Sequence, residues 1–77
     1  MNNPRRHRLE EISTQIADLR DMLEELMAEE EEYRDNMPEN LQSSERYERA
    51  EQACSDLEEA VNCLDEVVSY IESAVEQ

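Results

Sequence analysis

The sequence predicts an all-α protein, an antiparallel helical hairpin of coiled-coil type that pairs into a four-helix bundle dimer. Gly, Phe and Trp are absent from the 77 residues, so β-sandwiches, barrels and glycine-rich phosphate loops lack their usual residues. Apolar residues recur at alternating spacings of three and four, the heptad pattern of packed helices. Two such segments of nearly equal length flank a short proline-containing stretch, which favours a single hairpin domain over residues 1–77.

The first helix is predicted from about residue 4 to about residue 35. Asn3 before Pro4 is a favourable cap followed by a favourable first helical residue. Asn36 and Pro38 mark its end, because Asn tolerates the left-handed conformation and Pro disfavours helix at the residue before it. The predicted seam is Leu9, Ile12, Ile16, Leu19, Leu23, Leu26 and Tyr33.

A turn is predicted over about residues 36–43, and a second helix over about residues 44–76, capped by one of the two adjacent serines at its start. Met37 and Leu41 are expected to close the core at the turn, and the alternative is that the turn is a recognition tip. The second seam has no gap. It comprises Tyr47, Ala50, Cys54, Leu57, Val61, Leu64, Val68, Ile71 and Val75.

If Tyr33 faces Tyr47 beside the turn, the pairing of seam residues between the two helices is fixed. Every seam position then finds an apolar partner except Glu30, which falls opposite the small Ala50 and can bend toward water.

One flank of this hairpin is apolar and the other is charged. Acidic residues recur every seventh position on the charged flank, where Arg20 is placed to meet Glu58. The second helix therefore has an apolar face wider than one partner helix covers, and small residues on it permit close approach of another helix. The predicted dimer interface is Met22, Ala53, Ala60, Val67 and Ala74.

The two cysteines are expected to be packing and surface residues. Cys54 and Cys63 are about 13 Å apart along one helix, too far for a disulfide, and separated thiols fit a reducing compartment. Cys54 lies on the seam, whereas Cys63 lies outside it. The lone His7 is on the other helix, and no aspartate-rich loop with a central glycine is present, so neither metal nor cofactor is expected. With exposed carboxylates on a thin bundle, the sequence predicts a protein that is not an enzyme.

The strongest candidate for function is an acidic run of seven carboxylates within twelve residues, at the C-terminal end of the first helix. Negative charge is disfavoured there by the helix dipole. The functional interpretation is a nucleic-acid mimic, and the alternative is a solvated, solubilising face. Besides Glu30, the run contains the predicted partner-binding residues Glu24, Glu25, Glu29, Glu31, Glu32 and Asp35.

A second candidate is the cluster of Arg5, Arg6 and Arg8 beside His7 at the start of the first helix. In the hairpin these side chains are expected to meet acidic residues and the negative end of the second helix. Alternatively they form an anion site for a signalling nucleotide in a dimer, because Arg offers bidentate phosphate geometry.

The net charge restricts the classes of partner that the protein is expected to bind. A net charge of −15 repels phosphate, so direct binding to nucleic acid or to an anionic membrane is not expected, and the predicted partner is a protein with a basic surface. No apolar run reaches the roughly 20 residues of a membrane span. The first residues are polar rather than a signal segment, which predicts a cytoplasmic protein.

The segment from Glu30 to Ala50 resembles a family of small acidic helical proteins of phages and prophages. The resemblance extends over the chain as a basic start, an acidic helix, a DN-x-PE-x-LQ-x-SE-like turn and a second helix rich in Leu and Ala. It implies a phage setting, in which small acidic proteins frequently inhibit host defence enzymes. The turn residues that carry it are Asp35, Asn36, Pro38, Glu39, Leu41, Gln42, Ser44 and Glu45.

Taken together, these features predict a non-enzymatic protein-binding module, a phage-encoded inhibitor of a host defence or nucleic-acid-binding protein that acts through the acidic run. Two alternatives remain open. One is an oligomeric sponge that sequesters a signalling nucleotide at the Arg cluster, and the other is a purely structural or regulatory helical bundle.

Overall fold

The chain folds as a hairpin of two long helices, as predicted. The computed structural model describes residues 1–77 and contains no strands. Helix α1 spans Asn3–Asp35 and helix α2 spans Glu45–Glu76, with one turn of 3₁₀ helix at Glu39–Leu41 between them. The helices pack along their length into a rod of 60 × 15 × 12 Å.

The first helix begins at Asn3, one residue earlier than predicted. Asn2, not Asn3, is the N-cap, and its Oδ1 accepts a hydrogen bond from the Arg5 backbone N–H at 2.8 Å. This places Pro4 within the first turn, where its missing N–H removes one of the donors that have no helical partner.

The first helix ends without the predicted left-handed residue. Asn36 is right-handed, with φ −85° and ψ −1°, and no residue of the chain has positive φ. Its N–H donates to the Glu32 carbonyl at 2.9 Å, and the Met37 N–H then donates to the Arg34 carbonyl at 3.3 Å. Because the last turn tightens in this way, no αL residue is required before Pro38.

The turn closes one end of the core. Met37 is buried, as predicted, whereas Leu41 is 40% exposed and does not contribute to this closure. Ser44 is the cap of α2, since its hydroxyl accepts from the Tyr47 N–H at 3.3 Å. The Ser44 hydroxyl also donates to the Leu41 carbonyl, which ties the turn to the start of the helix.

Helix α2 presents the predicted seam to α1. Ala50, Cys54 and Val61 are buried, and Val61 is only 5% exposed. Every other seam position is half-buried, namely Tyr47, Leu57, Leu64, Val68, Ile71 and Val75.

Helix α1 is rotated relative to the predicted seam, so four of the seven predicted seam residues are wrong. Ile12, Leu19, Leu26 and Tyr33 are all exposed rather than packed in the hairpin. The half-buried side instead combines the remaining seam positions with a neighbouring heptad stripe. The members of that stripe are Arg6, Ser13, Arg20, Met27 and Arg34.

One ion pair between the helices explains this rotation. Arg20 Nε donates to Asp65 Oδ1 at 2.9 Å, so Arg20 meets Asp65 and not the predicted Glu58 one heptad earlier. Reaching across the interface in this way packs the aliphatic stem of Arg20 between the helices while its guanidinium stays at the edge. Leu19, one residue back, is turned toward solvent as a result.

Candidate functional site

The acidic run lies on the last three turns of α1 and is mostly exposed. Only Glu30 and Glu31 of its members are half-buried. Two of its carboxylates are neutralised inside the chain, because Glu24 accepts from Arg20 and Asp35 accepts from Arg34 Nε at 2.9 Å. The other five form no ion pair within the hairpin. They are Glu25, Glu29, Glu30, Glu31 and Glu32.

The two arginines beside the run are held in their charged form. A hydrogen bond to Asp65 raises the pKa of Arg20, assisted by Asp21 and Glu24, while partial desolvation opposes the shift. A hydrogen bond to Asp35 raises the pKa of Arg34 in the same way. Arg34 is also the one basic residue in the last turn of α1, so most of the negative charge at this helix end is uncompensated.

The Arg cluster lies at the open end of the hairpin, where the start of α1 meets the end of α2. One of its three arginine side chains bonds to α2, and the other two form no hydrogen bond. Arg6 Nε donates to the Val75 carbonyl and Arg6 Nη2 to the Gln77 carbonyl, both at 3.0 Å. The predicted contact with the negative end of the second helix is thus confirmed for Arg6, although no ion pair forms with the nearby carboxylates of α2. Arg5 and Arg8 are exposed, and their side chains make no hydrogen bond in the chain.

An exposed apolar face runs along the hairpin, and sequence reasoning found only part of it. On α1, Leu19 is 56% exposed, Met22 58% and Leu26 55%, values unusual for large apolar side chains of a packed helix. On α2, Val67 is exposed, and the small residues of the predicted dimer flank are half-buried. We define the apolar face as Ile12, Leu19, Met22, Leu26 and Tyr33 of α1 with Ala53, Ala60, Val67 and Ala74 of α2.

The two halves of the apolar face lie on the same side of the hairpin. Tyr33 and Ala53 line one shallow surface hollow together with Arg46, which places the two stripes side by side at the turn end. Residues seven apart point the same way, so the stripes stay adjacent along the rod. The Arg20–Asp65 ion pair occupies the opposite flank.

The sequence contained a signal for this arrangement. Arg6, Arg20 and Arg34 are spaced by fourteen residues, two heptads each, and therefore lie on one stripe of α1. All three side chains make hydrogen bonds, Arg6 and Arg20 to α2 and Arg34 to Asp35. A stripe of arginines at heptad spacing can therefore form the inner edge of a helix and turn a leucine stripe outward.

The remaining surface offers no enclosed chemistry. The surface hollows are shallow and open, and most are lined by charged side chains. No group of three or more His, Cys, Asp and Glu side chains is arranged to hold a metal ion. Cys54 is buried and Cys63 exposed, both as predicted and both free thiols, and burial raises the pKa of Cys54. Neither helix has a stretch long and apolar enough to cross a membrane.

Comparison with protein-family models, with curated proteins and with solved structures gives no match. The functional interpretation therefore depends on the three surfaces described above, which are the acidic run, the Arg cluster and the apolar face.

Proposed function

We propose that this protein is a non-enzymatic binding module whose acidic run occupies the nucleic-acid site of a basic partner protein. The observation that carries the proposal is the group of five run carboxylates with no ion pair inside the hairpin, held on a rigid helix of 33 residues. A solubilising face needs no such concentration at a helix end that the dipole disfavours. A charge cluster that lowers the stability of the fold is expected where the charges serve a function.

Linear charge density supports the comparison with nucleic acid. The five unpaired carboxylates, from Glu25 to Glu32, extend over about 10 Å of helix axis, or about one charge per 2 to 3 Å. Duplex DNA carries about one charge per 1.7 Å of axis, and a single strand about one per 3.4 Å. The run therefore lies between the two, so a groove that accepts a phosphate backbone meets a similar density of charge.

The biological setting of the proposal comes from the turn motif. Its likeness to small acidic proteins of phages and prophages suggests a phage-encoded inhibitor in the cytoplasm of a bacterial host. The partner class is a host defence or nucleic-acid-binding protein, such as a CRISPR effector, a nuclease or a transcription factor. All of these present a basic groove for nucleic acid.

The experiment is an affinity pull-down from bacterial lysate with tagged wild-type protein and two triple variants. The first, Glu25→Gln with Glu31→Gln and Glu32→Gln, neutralises the run. The control neutralises three exposed carboxylates of α2 and has the same net charge. It combines Glu58→Gln, Glu59→Gln and Glu66→Gln.

We expect a nucleic-acid-binding protein to be captured by the wild type and the control but not by the run variant. Capture should fall by about tenfold or more between 50 and 500 mM NaCl, because the contact is electrostatic. Equal capture by all three proteins at high salt would overturn the proposal. A nucleotide recovered without a protein would favour the sponge, and no specific binding would favour a purely structural bundle.

The proposal includes a dimer, in which two hairpins form a four-helix bundle through the apolar face. The residues predicted from sequence all belong to that face, with Met22 on α1 and Ala53, Ala60, Val67 and Ala74 on α2. Ala60→Glu places a carboxylate within it, and sedimentation should show a lighter species. The matched control is Ala28→Glu, on an exposed position of α1 outside the face, which should leave the mass unchanged.

A further inference from the structure

A single hairpin leaves its apolar face without a partner. Only four of the 77 residues are buried, so the core of one hairpin is small for a domain of this length. The exposed leucines and methionine are continuous with this core rather than scattered, which is typical of an association surface. A second copy is the occupant that we argue for, from the symmetry of the face and from the charges at its ends.

The stripe on α1 is symmetric about its centre. It consists of Ile12, Leu19, Leu26 and Tyr33, and Arg5 extends it by one heptad at the open end. If two copies of α1 lie antiparallel with their Leu19 side chains in contact, Ile12 meets the partner's Leu26. A two-fold axis requires a self-complementary surface of this kind.

The stripe on α2 is symmetric about the same level. Arg6 bonds to the carbonyls of Val75 and Gln77, and Arg20 to Asp65, so counting along both helices places Leu19 level with residues 62–66. The three alanines and Val67 of the α2 stripe centre midway between Ala60 and Val67, within that range. One two-fold axis therefore brings Ala60 to the partner's Val67 while it pairs the α1 stripes.

The charges at the two ends of the apolar face favour an antiparallel orientation of the two copies. The open end carries the unpaired Arg5 and Arg8, and the turn end carries Tyr33 and the unpaired Glu29. Helices pack about 8 to 10 Å apart, close to the Debye length of about 8 Å at physiological salt, so these charges act on one another. A parallel dimer would instead set two acidic runs side by side.

We propose that a second copy of this chain docks on the apolar face in antiparallel orientation, with the turn of each hairpin beside the open end of the other. Arg5 then lies over the partner's Tyr33 as a cation–π pair, and Arg8 comes within one residue of the level of the partner's Glu29, which has the same heptad position as Arg8. This assigns the two free arginines to the dimer interface rather than to a nucleotide.

The inference rests on the dimer of the proposed function and adds a consequence for partner binding. Glu24 is two residues beyond Met22, about 200° around the helix, so it faces away from the second copy, and Glu31 repeats its direction one heptad later. Apart from Glu29, which contacts the second copy, the two acidic runs therefore lie outside the dimer interface, at opposite ends of the rod. One dimer should bind two partner molecules, one at each end.

Orientation is measured with a spin label at the turn. Asn40→Cys in a Cys63→Ser background is labelled and the distance between labels in the dimer is determined by pulsed electron spin resonance. We expect a separation approaching the 60 Å length of the hairpin. A parallel dimer would give about 20 Å, the width of a four-helix bundle, and would overturn the inference while leaving the dimer intact.

The contacts are tested by charge exchange. Arg8→Glu and Glu29→Arg should each weaken dimerisation by about tenfold, and the double variant should recover most of the loss. Glu59→Arg, an exposed position of α2 outside the face, is the control for Glu29→Arg and should leave the dimer unchanged. Failure of the double variant to recover would overturn the contact.

A monomer at every protein concentration would overturn both the dimer and its orientation, and would assign the face to a different protein. Neither measurement depends on capture of a basic partner, so failure of the acidic-run proposal is seen separately, in the pull-down.

Discussion

Arg20 and Asp65 join the two helices at the middle of the hairpin, with Nε to Oδ1 at 2.9 Å and a second, longer hydrogen bond from Nη2 to Oδ2 at 3.4 Å. The pair lies on the flank opposite the apolar face, so it fixes which side of α1 turns toward α2. The same guanidinium also binds Asp21 and Glu24, which makes Arg20 the centre of the largest ion-pair network of the chain.

A double-mutant cycle on this pair should show positive coupling. Arg20→Ala and Asp65→Ala are each expected to lower the melting temperature, and the double variant to lose less than the sum of the two. The coupling should shrink at 1 M NaCl because the pair is partly exposed. Additive losses at low salt would contradict a role of this pair in fixing the rotation. The Arg49–Glu45 pair within α2 is the control, since it joins no two elements.

The seam of α2 was predictable because its apolar residues repeat without interruption, and burial of Ala50, Cys54 and Val61 confirms it. On α1 the sequence offers two overlapping heptad patterns that share Leu9, Ile16 and Leu23. Hydrophobicity alone selects the leucine stripe, but an arginine that bonds across the interface packs its stem there instead. Which stripe faces α2 depends on one ion pair between the helices, Arg20–Asp65, which the sequence of one helix does not reveal.

Helix ends were less predictable for a local reason. Asn2 and Asn3 are adjacent and chemically identical caps, so the choice between them depends on the position of Pro4 in the first turn. The acidic run itself could be located from sequence, whereas its partial neutralisation by Arg20 and Arg34 could not. The position of Arg5 and Arg8 at the end of an apolar face was not predictable either, because it depends on the rotation of α1.

Core and face should respond differently to truncation. Val61→Ala removes two methyl groups from the buried seam and should lower the free energy of unfolding by about 1 to 3 kcal/mol at every protein concentration. Leu19→Ala removes an exposed side chain of the hairpin, so its effect should appear mainly as a loss of the concentration-dependent part of the stability. Thermal unfolding over a hundredfold concentration range distinguishes the two. A large, concentration-independent loss for Leu19→Ala would mean that the side chain packs within the hairpin.

Arg6 should hold the start of α1 against the end of α2. Arg6→Ala removes two hydrogen bonds to terminal carbonyls of α2, and we expect a loss of about 1 kcal/mol and faster amide exchange over residues 70–76. Arg6→Lys keeps the charge but not the forked geometry and should restore only part of the protection. Unchanged exchange in Arg6→Ala would show that these bonds do not restrain the end of the helix.

The cysteines should differ in reactivity and in their response to pH. A maleimide should modify the exposed Cys63 within minutes and Cys54 only when the protein unfolds. Because burial raises the pKa of Cys54 above its ordinary value, the folded state retains a proton that the unfolded state releases in alkali. That contribution to stability is present below the ordinary thiol pKa and is lost as the pH rises through the folded pKa. Wild type should therefore lose more stability above about pH 9 than Cys54→Ala.

A substitution of Glu32 tests whether this carboxylate binds a partner or only solvates the surface. It lies in the last turn of α1, makes no ion pair, and faces the negative end of the helix dipole, so Glu32→Gln should stabilise the fold by about 0.3 to 1 kcal/mol. Glu11→Gln, an exposed position far from that end, is the control and should change the stability little. If the run binds a basic partner, the same Glu32→Gln that stabilises the hairpin should weaken capture of that partner, a trade-off typical of functional residues. A variant that gains stability and binds the partner unchanged would show that Glu32 serves only to solvate the surface.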